Sequence, residues 1–252
     1  MPNLTIAFAK PQLPTTGTLV VLVGEDAALT PLAAELDRAA GGALARAMAK
    51  AGFKAKGFAT LDVVAPAGGD LDRVVLVGVG EAAKLEEKDW LRLGGVVAGK
   101  LKEIKATTAT VLVEVAGFEI DAGKAADVAL GAHLRAYEFD RYKTKKKDDE
   151  AAAKSIDVTF ALEAHGAAKK AWTGSRKPIA EGTTLTRDLI SEPANVLGTE
   201  EFAKKAEKLE KLGVEIEILG EKELKKAGWN ALLGVAQGSK RPPRVVIMRW
   251  NG

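Results

Sequence analysis

The glycine-rich stretch Gly78–Ala83 is the first pattern whose residue types and spacing could do chemistry. It reads Gly-Val-Gly-Glu-Ala-Ala and fits G-x-G-x-x-G/A, in which glycines let the backbone approach a pyrophosphate at a helix N-terminus. Two confirmations are missing. The acidic residue expected about 20 positions on would be Glu103, which lies in a predicted helix, and the motif follows the fourth predicted strand instead of the first. We therefore favour a tight strand-to-helix turn and keep nucleotide binding as the alternative.

The two histidines, His133 and His165, are the candidate acid–base groups. His133 shares an apolar helical face with Leu130, Leu134 and Tyr137 and has no neighbouring nucleophile, so we interpret it as a core or interface residue. His165 follows a predicted strand and is interpreted as exposed. The sequence contains no H-E-x-x-H motif, which excludes a zincin-type site, and no serine lies in a G-x-S-x-G elbow.

A basic loop near the end of the chain is the third candidate. It spans Gln237–Arg244 and reads Gln-Gly-Ser-Lys-Arg-Pro-Pro-Arg. Its cations could bind an anion, although the Pro-Pro pair favours a solvated turn. The 34 Asp and Glu residues form no local cluster typical of a metal site, and a pair assembled by the fold is invisible in sequence. We therefore assign no catalytic, cofactor-binding or metal-binding residue to this chain.

The composition limits the class of protein. An apolar share of 47% with 28% charged residues is typical of a globular chain with a substantial core. The net charge is only 37 − 34 = +3, and the Lys143–Lys147 run is followed at once by acidic residues, so we interpret that run as a solvated connector and expect no nucleic-acid partner. No cysteine, signal peptide or membrane-spanning apolar run is present, which predicts a soluble cytoplasmic protein without membrane contacts.

Residues 1–165 alternate short apolar runs with helical periods, which predicts a layered α/β domain. The predicted strands are Leu4–Ala9, Thr18–Gly24, Ala59–Ala65, Arg73–Val79, Thr108–Val115 and Ser155–Leu162. The predicted helices are Leu32–Ala51, interrupted or bent near Gly41-Gly42, then Glu86–Ile104, and one from the Asp121 cap to about Tyr142. Because Arg73–Val79 is apolar on both faces, we place it at the centre of the sheet.

Residues 166–252 predict a shorter unit. A helical stretch runs from Gly166 to about Ser191, and the next helix is predicted to start at a Thr199 cap, bury Phe202, Ala206 and Leu209, and end at Gly213. The alternating strand Val214–Leu219, the short helix Glu221–Ala227 and the strand Arg244–Trp250 follow. These few elements would leave one face of the sheet uncovered. We therefore expect the rest of this domain to be missing or supplied by another chain.

Residues Arg187–Leu197, which read Arg-Asp-Leu-Ile-Ser-Glu-Pro-Ala-Asn-Val-Leu, resemble the segment that opens the catalytic domain of the leucyl aminopeptidase (cytosol aminopeptidase) family. Ser191 and Gly198-Thr199 depart mildly from the family's usual Asn and Thr-Pro. Further agreement is found in Ala231–Ser239, in Pro242-Pro243-Arg244, in the strand leading to Gly252, and in Tyr137–Thr144. The resemblance is close over residues 130–252 and diffuse over residues 1–129.

The resemblance implies an α/β protein with two domains. Residues 1–165 would form an N-terminal macro-like α/β layered domain, and residues 166–252 a linker helix and the opening part of an incomplete α/β metallopeptidase domain. Family members are homohexamers that release N-terminal residues, often leucine, from peptides. They hold two divalent metals (zinc, manganese or magnesium), which polarise the scissile carbonyl and generate a hydroxide nucleophile.

The family's metal ligands lie in Gly-Lys-Gly…Asp-(Thr/Ser)-Gly-Gly and Asp-Ala-Glu-Gly-Arg motifs, and neither occurs in residues 1–252. We therefore expect this chain to hold no metal and to be inactive alone, and we carry over only structural roles: Asp188 and Asn195 satisfying backbone groups at helix ends. Two alternatives stay open. The chain could be a free-standing macro-like module that binds a nucleotide or ADP-ribose, or a scaffold for a separate catalytic chain.

Overall fold

The computed structural model describes residues 4–144 and 155–251, and the chain divides into two compact units, Met1–Thr184 and Leu185–Gly252. Most of the predicted Lys-rich connector, residues 145–150, lies outside the described residues. No helix within the described ranges is both long and apolar enough to cross a membrane.

The first unit is built on a six-stranded sheet that confirms the predicted α/β class. Its strands are β1 (Leu4–Ala9), β2 (Thr16–Gly24), β3 (Thr60–Val64), β4 (Asp70–Gly80), β5 (Thr108–Leu112) and β6 (Ile156–Ala161). Their order is β1-β6-β5-β2-β4-β3, and every pairing is parallel except that of β3 with β4. Since β2 and β4 lie side by side inside the sheet, their runs of Val and Leu are buried on both faces.

Helices cover both faces of this sheet. They are α1 (Pro31–Ala39), α2 (Ala43–Ala51), α3 (Glu87–Glu103), α4 (Ala122–Ala136) and α5 (His165–Ala171). A π-helical turn at Trp172–Arg176 follows, and α6 (Lys177–Ser191) includes the boundary between the two units. One core joins Val20, Leu22 and Val75 to α3 and α4, and a second core joins Leu19 and Val21 to α1 and α2. The alternation of side chains along β2 thus distributes its residues between two helical layers.

Of two helix predictions in the first unit, one is confirmed and one is wrong. The stretch predicted as helix over 32–51, interrupted or bent near Gly41-Gly42, is interrupted there and forms α1 and α2, because Gly41 (φ 61°) and Gly42 (φ 76°) adopt left-handed backbone that ends one helix and starts the next. The helix predicted to reach Tyr142 ends at Ala136, and Tyr137 is extended. The extended backbone carries Glu138 to an ion pair with Lys102 of α3.

The second unit contains α7 (Thr199–Glu207), a 3-10 turn (Lys208–Leu212), β7 (Glu215–Leu219), α8 (Glu221–Lys226), α9 (Asn230–Ala236) and β8 (Val245–Arg249). β7 and β8 form an antiparallel pair. Gly213 ends the 3-10 turn with φ 89°, as predicted for this position. The helix α9 was not predicted, because only seven residues, Asn-Ala-Leu-Leu-Gly-Val-Ala, carry its pattern.

The start of α7 also differs from the prediction. Gly198, not Thr199, is the N-cap, since its carbonyl accepts a bond from Phe202 N at 2.9 Å and its N–H donates to the Glu201 carboxylate at 3.0 Å. Phe202 is 47% exposed instead of buried, whereas Ala203 and Ala206 are buried. The prediction is thus confirmed at Ala206 and wrong at Phe202, whose place in the buried face of α7 is taken by Ala203.

Candidate functional site

The glycine motif at Gly78–Ala83 lies at the carboxyl end of β4, which runs to Gly80 before a 3-10 turn of three residues, Ala82–Lys84. A Cβ on Gly78 would lie 2.3 Å from the Lys56 carbonyl oxygen, so a side chain does not fit there. Gly80, with φ 70°, donates its N–H to the Ala55 carbonyl at 3.0 Å. The chain's own backbone therefore occupies the room that these glycines create, which accounts for them without a phosphate.

His133 lies on α4 against the π-helical turn, with its ring centroid 5.9 Å from that of Trp172. Its Nε2 is buried and has no hydrogen-bond partner within the described residues. Burial lowers the pKa of the imidazole, while Glu181 raises it and Lys177 lowers it by smaller amounts. The neutral, packed ring fits the predicted core or interface role. The other histidine, His165, is half-buried instead of exposed, and its Nδ1 lies 3.1 Å from the Glu163 carbonyl.

The signature segment 187–197 forms the end of α6 and a compact turn. The amide of Glu192 donates to the Asp188 carbonyl at 3.0 Å, and the amides of Val196 and Leu197 donate to the Pro193 carbonyl at 2.9 and 3.0 Å. Pro193 thus ends the helix and nucleates the turn that delivers the chain to Gly198. The side-chain roles expected of Asp188 and Asn195 stay predictions.

The basic loop returns to the start of α7. Thr199 Oγ1 donates to the Pro242 carbonyl at 2.7 Å, and Arg244 donates to the Pro243 carbonyl at 2.8 Å while forming an ion pair with Glu200. Inside the loop, Ser239 Oγ accepts the Arg241 amide at 3.1 Å. These bonds join the basic loop to the start of α7, about forty residues earlier in the chain, and the sequence pattern of neither stretch indicates the other.

A cavity of about 540 Å³ opens between α7, β8 and this loop, and we call it the α7 pocket. Its wall includes Leu197, Phe202, Arg241, Arg244, Val246 and Met248. Phe202 and Met248 are 47% and 55% exposed, so the apolar part of the wall is accessible. A second cavity of about 550 Å³ lies on the other side of the loop and shares Ser239 and Arg241 with the first.

Arg241 forms the part of the α7 pocket wall that lies next to Gly198. Its guanidinium lies over Gly198, where a Cβ would come within 2.0 Å of Nη1. The guanidinium makes no hydrogen bond or ion pair within the part of the chain that the structure describes, whereas Arg244 is committed to Glu200. Backbone N–H groups of Glu201 and Gly198 lower the pKa of the Glu201 carboxyl, and Arg241 lowers it further. The pocket therefore combines an apolar wall with a cation that has no hydrogen-bond partner among the described residues.

Neither cavity offers the ligands of a metal centre. Across residues 4–144 and 155–251, no three His, Asp or Glu side chains are grouped so that they could hold a metal ion. The chemistry that the α7 pocket supports is binding. The cations of the loop are evident in the sequence. Their proximity to Leu197, Gly198 and Phe202 is not, because these residues lie about forty positions earlier in the chain.

Comparison with protein families matches two stretches of the chain. Residues 20–146 match the model of the cytosol aminopeptidase family, N-terminal domain, and residues 184–252 match that of the cytosol aminopeptidase family, catalytic domain. The second match includes both the signature segment and the basic loop.

Similar curated proteins carry the name probable cytosol aminopeptidase. The chain is 55% identical to one from Agrobacterium fabrum over 84% of this chain and 42% of that protein. It is 48% identical to one from Rhizobium leguminosarum bv. trifolii over 98% of this chain and 49% of that protein. The chain spans about half the length of these curated relatives.

Solved structures with a similar fold include a tomato leucine aminopeptidase mutant, with a TM-score of 0.77 and 23% identity over 98% of this chain and 50% of that one. The bottromycin maturation enzyme BotP in complex with Mn gives a TM-score of 0.68 and 22% identity over 93% of this chain and 45% of that one. At this identity the likeness establishes the fold.

Proposed function

Because the chain belongs to the cytosol aminopeptidase family, we propose that it forms the N-terminal domain and the opening part of the catalytic domain of an enzyme that releases N-terminal amino acids, leucine among them, from peptides. The observation that carries this proposal is that both family models match, in N-to-C order, within one chain. The division into residues 1–165 and 166–252 belongs to the same proposal.

The whole enzyme is proposed to depend on divalent metals, which is supported by the manganese named with the similar bottromycin maturation enzyme. Two such ions would supply Lewis-acid activation of the scissile carbonyl and a hydroxide nucleophile. The residues present here do not fit such a centre, since the described residues hold no metal-ligating group of three and the Gly-Lys-Gly and Asp-Ala-Glu-Gly-Arg motifs do not occur in the sequence. We propose that these 252 residues alone have no peptidase activity.

Peptide substrates, a homo-oligomeric assembly and a cytoplasmic location complete the proposal, and the relatives' name supports the location. The surface of the second unit supports packing against further protein. Large apolar side chains are exposed there, among them Ile190 (80%), Val235 (88%) and Trp250 (67%). Exposed apolar groups of this size are typical of surfaces that bind protein.

A chimera tests the proposed function. This chain would replace the matched half of the Agrobacterium fabrum relative, and hydrolysis of leucine p-nitroanilide with Mn²⁺ would be measured. We expect a rate within about tenfold of the parent, because tenfold corresponds to only about 1.4 kcal/mol of transition-state stabilisation. A folded, assembled chimera without activity would contradict the proposal.

The chain alone provides the second arm of this experiment. Purified residues 1–252 with Mn²⁺ are expected to hydrolyse leucine p-nitroanilide no faster than a blank. Calorimetry with ADP-ribose and NAD is expected to give no heat above dilution, because backbone occupies the space beside Gly78. Heat of binding would instead favour the nucleotide-binding module.

A further inference from the structure

We propose that the α7 pocket is a binding site for the carboxylate of an apolar amino-acid residue, such as the C-terminal residue of a peptide. The site lies wholly within the second unit and uses none of the chemistry assigned to the peptidase reaction. Arg241 would hold the carboxylate, and Leu197, Phe202 and Met248 would contact the apolar side chain.

The charges around the pocket, where the exposed Arg241 lies, favour an anionic ligand. Arg244 is paired with Glu200, and Lys225 of the neighbouring cavity is paired with Glu221 at 2.7 Å. The Glu201 carboxylate accepts the amide of Gly198 at 3.0 Å, and Arg241 acts on this carboxylate through space without a hydrogen bond. The Arg241 guanidinium is thus left without a hydrogen-bond acceptor in the described chain, and its planar fork matches a carboxylate with two parallel N–H···O bonds.

The apolar wall restricts the kind of anion. An inorganic ion would use the cation and leave Phe202 and Met248, which are 47% and 55% exposed, in contact with water. A ligand with an apolar group next to its carboxylate covers both features, and burying apolar surface adds about 25 cal/mol per Å². The cavity of about 540 Å³ lies in the range of small-molecule pockets and admits one residue of this size.

Three probes separate charge from apolar contact in calorimetric titrations of the full 252-residue chain. N-acetyl-leucine carries both features, its amide lacks the charge, and inorganic phosphate lacks the apolar group. We expect N-acetyl-leucine to bind at least about tenfold more tightly than either of the others, because bidentate Arg–carboxylate pairs are among the stronger hydrogen bonds. The acetyl group blocks the N-terminus, so the result does not depend on any aminopeptidase activity.

Two variants locate the site. Arg241→Gln removes the cation and is expected to weaken N-acetyl-leucine binding at least about tenfold. Gly198→Ala keeps the cation but displaces it, since the new Cβ would lie 2.0 Å from Nη1, and the Gly198 backbone (φ −105°) accommodates alanine. We expect this variant to weaken binding as well. Arg249→Gln, which removes an exposed arginine paired with Glu217 outside the pocket, is the matched control and should leave binding unchanged.

Several outcomes would overturn the proposal. They are no binding of N-acetyl-leucine, equal binding of the acid and the amide, tighter binding of phosphate, or unchanged affinity in Arg241→Gln. A thermal melt of each variant shows whether it is folded. If Arg241→Gln were unfolded, the loss in Gly198→Ala, which retains every charged group, would decide the question.

Discussion

His133 is a half-buried side chain whose protonation couples the stability of the first unit to pH. Its Nε2 has no hydrogen-bond partner among the described residues, and its ring packs on Trp172 of the π-helical turn. Burial is the main cause that lowers the imidazole pKa, and the charged groups acting on it come from α6, where Glu181 opposes the lowering and Lys177 adds to it. The folded state therefore favours the neutral ring.

This lowering fixes the sign of a pH effect on stability. The unfolded chain takes up a proton near pH 6.5, its ordinary histidine pKa, while the folded chain resists it, so stability is lost as the pH falls below about 6.5. We expect the urea midpoint of the natural chain to fall between about pH 7.5 and 5.5 by more than that of His133→Gln. Tryptophan fluorescence would report the midpoints.

The natural chain is the reference for this comparison. If His133→Gln kept the pH slope of the natural chain, the neutral state assigned to the half-buried His133 ring would be wrong.

At the scale of elements, glycines determine how closely α3 and α4 approach. A Cβ on Gly94 of α3 would lie 1.8 Å from the Val128 carbonyl oxygen, and one on Gly131 of α4 would lie 1.7 Å from the Leu91 carbonyl oxygen. Each helix therefore contacts the backbone of the other directly. Both glycines lie inside strongly helical patterns, where glycine is unfavourable unless close packing requires it. This was the sequence signal that could have revealed the contact.

Alanine substitution at Gly94 is expected to destabilise the chain. Alanine normally stabilises a helix interior by about 0.5–1 kcal/mol relative to glycine. At Gly94 the clash with Val128 would instead force α3 and α4 apart, and we expect a net loss of about 1–3 kcal/mol in the free energy of unfolding. Urea unfolding would measure the change.

Gly95→Ala provides the matched control one residue away. A Cβ at Gly95 would meet its nearest neighbours only at 3.9 Å, so this variant should be neutral or stabilising by up to about 1 kcal/mol. A Gly94→Ala variant as stable as Gly95→Ala would mean that the two helices separate without cost.

At the scale of the whole molecule, the two units differ in the size of their cores. The first unit surrounds β2 and β4 with helices on both faces, whereas the buried apolar residues of the described second unit are Ala203, Ala206 and Leu224. Small units bury proportionally less surface and open more readily.

Hydrogen exchange should reveal this difference. Amides of β2 are expected to exchange at least about a hundredfold more slowly than those of β7, because β7 belongs to a two-stranded, half-buried sheet. Mass spectrometry of peptides from each strand measures the rates. Equal protection of the two strands would contradict the expected weakness of the second unit.

The chimera extends this test. If the rest of a catalytic domain covers the second unit, β7 should become more protected in the chimera than in the chain alone, while β2 should not change. Unaltered protection of β7 would argue against the packing proposed for Ile190, Val235 and Trp250.

The elements that were predicted correctly depend on local patterns. Leu4–Ala9 was predicted with the bounds that the structure shows, and the helix predicted over 86–104 occupies Glu87–Glu103. Errors arose where a side chain could form either a local or a distant hydrogen bond. Thr199 was predicted to cap α7, but its hydroxyl donates to the distant Pro242 carbonyl and Gly198 is the cap. Cap identity depends on where a distant loop lies, and periodicity contains no information about that position.

The sequence alone determined the α/β class and the family, because alternating apolar runs and the signature segment are written in consecutive residues. Only the tertiary structure decided that Gly78 accommodates the backbone of residues 55 and 56, that Gly94 and Gly131 bring α3 against α4, and that Arg241 lies over Gly198 beside an apolar wall. Each of these contacts joins residues far apart in the chain. Their positions depend on the order of the strands and the path of the loops, which local residue patterns do not specify.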